Sequence, residues 1–160
     1  MSAGFDYGIV FLLQMEGGYA EDLGDGAGET HWGVTKRSYP DLDIRALTVD
    51  QARAIYQRDF YEALHLDLLP APLAVAMLDT AANHGPATAV KLLQEALGVP
   101  VDGTIGPVTA AAAKAQPKAL KALCVARLLR YSQNAQFARF GRAWANRVLD
   151  CYLYARGVPS

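Results

Sequence analysis

The chain has 160 residues, 52% of them apolar, and a formal net charge of −1. That length suits one domain with a single substantial core, and that composition excludes an intrinsically disordered chain. No apolar run reaches the roughly 18 residues of a membrane span, and the opening MSAGFDYG lacks a basic stretch, so neither a transmembrane segment nor a secretory signal is expected.

The charge is unevenly spread. Residues 1–113 hold six basic and fifteen acidic side chains, a net of −9, whereas residues 114–160 hold nine basic and one acidic, a net of +8. Such a basic tail either approaches an anionic surface, with Arg139, Arg142 and Arg147 as its carriers, or solvates its helices and pairs with the acidic part. No recognition motif accompanies it, so nucleic acid is not expected as a partner. Cys124 and Cys151 read as two buried thiols on helix faces, with a single bridge between them as the alternative. His31, His65 and His84 are scattered without ligand spacing, and neither a metal nor a cofactor is expected.

In chain order, Phe5, Ile9, Val10, Leu12 and Leu13 have the spacing of a helix over 5–15, stopped by Gly17-Gly18. The stretch YAEDLGDGAGETHWGVT (19–35) carries four glycines and four acids and reads as an irregular loop with a short hairpin at THWGVT. Thr48 and Gln51 have capping-box spacing, and Ala52, Ile55, Tyr56 and Phe60 follow on one stripe. Residues 68–86 form a second helix, opened by Pro70 and Pro72 and stopped by Gly85-Pro86. Its apolar character puts it at the centre of the fold, with Asp79 as a hydrogen-bonded structural carboxylate. A third helix, 87–98, closes at Gly98. A tight turn at 99–106, in which Asp102 and Gly103 are turn-formers, leads to a helix started by Pro107. Two more helices are expected over 117–133 and 136–156, the last with Phe137, Phe140, Trp144, Val148 and Tyr152 on its stripe. The fold class is mainly α with a small β element.

The chemistry concentrates at QMEGGY (14–19) and the loop after it. Glu16 ends a helix among apolar neighbours, and Asp22, Asp25 and Thr30 follow within a polar, glycine-rich segment that can fold back. Glycoside cleavage needs one carboxyl group that keeps its proton in apolar surroundings and a second, wetter carboxylate that stays ionised. Thr30 is placed to hold a water, and Tyr19 and Trp32 offer flat faces to sugar rings. The competing reading of Glu16 is a helix-end side chain in solvent. A calcium loop of the common kind is not expected, because DLGDGAGET lacks the D-x-[DN]-x-[DN]-G pattern. Asn83 and His84 end the most apolar helix, either lining a cleft opposite Glu16 or capping the helix. His31 either supports the site from behind or faces solvent.

The block EGGYAEDLGDGAGETHWGVT resembles the signature of glycoside hydrolase family 108, lysozyme-like muramidases of phage endolysins and related bacterial proteins. The likeness rests on Glu16, Gly17, Gly18, Tyr19, Asp22, Asp25, Gly28, Thr30, Gly33 and Thr35. LTVDQARAIYQRDFY resembles the family's next helix, with Phe60-Tyr61 in place of its usual Tyr-Trp pair. LDTAANHGPATAVKLLQEALGVPVDGTIGPVT and FGRAWANRV resemble its C-terminal, peptidoglycan-binding part. The resemblance implies a lysozyme-like helical domain with a small β-hairpin lobe. It divides into a catalytic part at 1–90 and a helical C-terminal part at 91–160, packed as one globule.

It also implies cleavage of the β-1,4 bond between N-acetylmuramic acid and N-acetylglucosamine, with Glu16 as the acid. Asp25, or else Asp22, is the assisting carboxylate, together with Thr30. T4-type lysozymes are similar in leaving eight residues between Glu and Asp, which favours Asp25. Tyr19, His31, Trp32, Asn83 and His84 are expected to bind substrate. The expected partners are glycan strands and an anionic wall or outer-membrane surface. The protein is expected to be a monomer that waits in the host cytoplasm for holin-dependent release. The alternatives are a lytic transglycosylase on the same bond and a non-catalytic wall-binding or secretion-assisting protein.

Overall fold

The structure, a computed structural model, describes residues 2–21 and 28–159. Asp22 and Asp25 therefore lie outside the described residues. The chain forms α1 (Ala3–Glu16), a hairpin of β1 (Thr30–His31) and β2 (Val34–Thr35), and α2 (Val49–Tyr56), which runs into a π-helical turn (Gln57–Glu62). A 3-10 turn (Leu66–Leu68) leads to α3 (Ala71–His84), α4 (Pro86–Leu97), α5 (Pro107–Ala115), α6 (Ala119–Ser132) and α7 (Phe137–Arg156). The mainly helical class with one small hairpin agrees with the sequence reading, and so do the helix limits that glycine and proline punctuate.

Helix α3 is the hub. Leu73 to Ala81 are all buried, and α1, α4, α6 and α7 pack around the helix. A helix apolar on every side is stable only when surrounded, and each Leu or Met sealed there contributes about 1.5–3 kcal/mol. α1 approaches α3 through Gly8. A methyl group there would stand 3.1 Å from Leu78 Cδ2 and 3.4 Å from the Val75 backbone. This close packing fixes the end of α1, and with it Glu16, against the hub.

α2 starts with the expected capping box, Thr48 and Gln51 each accepting from the other's backbone N–H. The stripe continues to Phe60, but the hydrogen bonding widens after Tyr56, so that the Ala63 N–H reaches the carbonyl of Arg58. α4 closes at Gly98, as expected, and α5 opens at Pro107.

The turn between α4 and α5 is held by Gln94. Its Nε2 donates to Asp102 Oδ1 at 2.7 Å and to the Thr104 carbonyl at 3.0 Å, and its Oε1 accepts from the Gly103 N–H at 2.9 Å. The Gln94 amide holds the Asp102 carboxyl below the usual carboxylate range. The Asp102-Gly103 pair is thus a turn element clamped to α4. Cys124 and Cys151 are both buried free thiols, as the sequence suggested.

Candidate active site

Glu16 is the last residue of α1, and Gly17 ends the helix with φ 69°. The chain then doubles back. Ala20 and Thr30 exchange two backbone hydrogen bonds of 2.8 and 2.9 Å, which tie the start of the hairpin to the segment just after Glu16. The hairpin turn is Trp32-Gly33, with φ 53° and 76°, the double left-handed geometry of a type I′ turn. Gly33 lies directly on Glu16: a Cβ there would stand 2.7 Å from Glu16 Cγ. Tyr56 closes this corner by donating its hydroxyl proton to the Trp32 carbonyl at 3.1 Å. Burial, reinforced by the nearby Glu16 charge, raises the Tyr56 phenol well above its ordinary range, so it remains a donor.

The other wall of the Glu16 site comes from the opposite end of the chain. Arg147 Nη2 donates to Glu16 Oε1 at 2.6 Å and to Asp79 Oδ1 at 2.7 Å, while its Nε donates to the same Asp79 oxygen at 3.0 Å. Arg127 Nη2 takes the second Asp79 oxygen at 2.6 Å. Two carboxylates and two guanidiniums therefore alternate through the centre of the protein. Asp79 and Arg127 have no exposed side-chain surface, and the outer members Arg147 and Glu16 keep 17% and 22%. Charges removed from water in this way persist only when paired. Asp79 is the structural carboxylate the sequence implied.

Two sequence readings need correction here. Arg147 is not a free member of the basic tail, because its guanidinium is spent on Glu16 and Asp79, whereas Arg139 and Arg142 are exposed. The surroundings of Glu16 are also less apolar than its sequence neighbours imply, since a guanidinium touches the carboxylate. Sequence reasoning missed Arg127 and Arg147. The signal available was Asp79 itself, since a carboxylate inside an apolar helix demands a cation from another element.

The remaining predicted residues divide into two groups. Tyr19, His31 and Trp32 stand together on the hairpin side. His31 stacks on Trp32 with ring centroids 5.1 Å apart, and Tyr19 meets His31 edge-on at 5.9 Å. His31 Nδ1 lies 3.1 Å from the Ile44 carbonyl, which can only accept, so the proton sits on Nδ1 and the ring braces the hairpin. Tyr19 donates to Glu29 at 2.6 Å, and that bond raises its phenol pKa. Thr30 pairs through its backbone with Ala20 and with Thr35.

Asn83 and His84 stand at the far end of α3. Asn83 Nδ2 donates back to the Asp79 carbonyl at 2.8 Å and reaches Oδ1 at 3.3 Å. His84 packs on Tyr131 with ring centroids 4.4 Å apart. Burial, with Arg127 and Arg130 nearby, holds its imidazole down to about 4.

The model of the family described as Glycosyl hydrolase 108 matches residues 9–85, and that of a Predicted Peptidoglycan domain matches residues 88–149. No curated protein matches the chain. Among solved structures, SagA of Brucella abortus is 32% identical, with a TM-score of 0.86 over 96% of this chain and 94% of that one. Glu16, the hairpin and Asp79 fall in the first matched block, and Arg127 and Arg147 fall in the second. With both blocks present in order on a mainly helical, lysozyme-like fold, and a solved relative aligned along nearly its whole length, the chain belongs to the glycosyl hydrolase 108 family, a glycosidase directed at peptidoglycan.

Proposed function

We propose that the protein hydrolyses the β-1,4 bond between N-acetylmuramic acid and N-acetylglucosamine, with Glu16 as general acid. One observation carries this reading. Glu16 is a partly exposed carboxyl group fixed where α1, the hairpin turn and Arg147 meet, with its position set by Gly33 on one side and a guanidinium on the other. A general acid works by reaching the leaving oxygen in a fixed geometry, and the restraint on Glu16 serves that need.

In the proposed reaction Glu16 gives its proton to the glycosidic oxygen as the bond to the anomeric carbon breaks. Arg147 then faces the carboxylate that is left. Asp25, or Asp22, supplies the second carboxylate, which stabilises the oxocarbenium-like transition state or activates the incoming water, with Thr30 on the adjoining strand. The His31, Trp32 and Tyr19 rings give the hairpin side an aromatic surface suited to sugar faces.

Mass spectrometry of the muropeptides released from purified peptidoglycan tests the reaction. Hydrolysis leaves free reducing ends on N-acetylmuramic acid, and a transglycosylase would leave 1,6-anhydro ends. Glu16→Gln keeps an acceptor for Arg147 but has no proton to give, so its rate should fall by at least about 10²–10⁴-fold. Full activity in that variant would remove Glu16 from the role.

A further inference from the structure

Where the ends of α3 and α6 meet α7, they border an open cavity of about 530 Å³. Asn83 and His84 come from α3, Arg130 from the last turn of α6, Asn134 from the turn that follows it, and Trp144 from α7. Tyr131 and Trp144 stack with centroids 4.8 Å apart and planes at 19°, which gives the cavity a rigid wall. The cavity is tied to the Glu16 site by short steps: Asn83 bonds Asp79, Asp79 holds Arg147, and Arg147 holds Glu16.

Among the described residues, no carboxylate lines this cavity. Arg130 brings a positive charge and forms no ion pair among the described residues. The carboxamides have capacity to spare. Asn83 uses its NH2 group on Asp79, which leaves its oxygen as an acceptor. Asn134 uses its oxygen on the Gln136 N–H, which leaves its NH2 group as a donor. His84 Nε2 is buried without a hydrogen-bond partner among the described residues. A guanidinium beside amide donors and acceptors fits a carboxylate joined to a peptide amide. In peptidoglycan these groups occur on the peptide branches, because the glycan backbone carries no free carboxylate once the lactyl group is amide-linked.

We propose that this cavity binds the peptide branch of peptidoglycan, with a branch carboxylate on Arg130 and a branch amide against Asn83 and Asn134. The enzyme therefore favours strands that still carry their peptides. The inference rests on peptidoglycan being the substrate, and its test is separable from the role of Glu16.

Two soluble substrates are needed: glycan strands with intact peptides, and the same strands stripped by an amidase that cuts the lactyl–peptide bond. The readout is the ratio of kcat/KM on the two. The wild type should favour peptide-bearing strands. Arg130→Gln should lower the ratio by about tenfold, the size expected for one charge-assisted hydrogen bond at an exposed position. Asn134→Ala should lower it by a smaller factor. An unchanged ratio in both variants overturns the proposal, whatever happens to the absolute rates. So does a wild type that treats both substrates alike. The same ratio is read a second way, as Kd values for the two strands measured on Glu16→Gln. If Glu16→Gln proves fully active, the acid assignment fails while the kcat/KM ratio of the wild type and the Arg130→Gln and Asn134→Ala variants still decides the cavity.

Discussion

Arg147 stands 131 residues after Glu16 in sequence and 2.6 Å from its carboxylate in space. The same guanidinium is held from behind by Asp79, which is held in turn by Arg127. The candidate acid is thus the exposed end of a row of alternating charges, and the row reaches into the fully buried centre of the fold.

This arrangement separates two arginine variants. Arg127→Met leaves Asp79 short of a partner at a site with no solvent, and should cost about 3–5 kcal/mol of stability. Arg147→Met removes a guanidinium that is partly solvated and leaves Arg127 on Asp79, and should cost about 2 kcal/mol. In activity the order reverses. Arg147→Met frees Glu16 and should lower kcat by about 10- to 100-fold, the scale of a misplaced catalytic group. Urea denaturation and muropeptide release on the same preparations check both orders.

Gly33 gives a second contrast. Gly33→Ala forces a side chain into φ 76° and drives its Cβ into Glu16. Gly98→Ala meets a similar backbone cost at φ 68° but faces open space. Both should lose about 1–2 kcal/mol from the left-handed conformation, but only Gly33→Ala should also lose activity, by at least about tenfold. Equal activity in the two variants would show that Gly33 does not position the acid.

His84 should make stability fall at acid pH. Burial, Arg127, Arg130 and Arg147 oppose a proton on it and Asp79 favours one, and the balance holds the folded imidazole down to about 4 against 6.5 when free. The unfolded chain therefore binds more protons between these values. The His84 contribution is complete above about pH 6.5 and is lost as pH falls toward about 4. Urea midpoints measured across this window should decline in the wild type and flatten in His84→Asn.

Gln94 has no exposed surface, and its amide gathers Asp102, Gly103, Thr104 and Thr109 onto α4. Gln94→Leu should cost about 2–3 kcal/mol, because it strips partners from buried polar groups. Binding to peptidoglycan, measured by sedimentation with the insoluble wall well below the melting temperature, should be retained. That outcome identifies the Asp-Gly turn as architecture and not as a ligand contact.

The fold was largely legible because its boundaries are local. Gly17, the prolines at 70 and 72, Gly85-Pro86, Gly98 and Pro107 act on their own turn of chain, and the helices start and stop at them. The capping box at Thr48 is equally local. The widening after Tyr56 was not legible, since residues 57–62 continue the same apolar stripe in a different hydrogen-bond pattern. In the site, Glu16 and the hairpin could be read from one contiguous block. The partners of Glu16 could not, because α7 carries Val148 inward and Arg142 outward on the same helix, and only the packing shows that Arg147 turns toward the centre.

Glu16 and Asp79 come from the first half of the chain, and both guanidiniums that hold them come from the second. The two sequence blocks therefore work as one physical unit. A recombination that swapped in a foreign C-terminal half to change wall specificity would leave two anions stranded unless arginines at both places travelled with it.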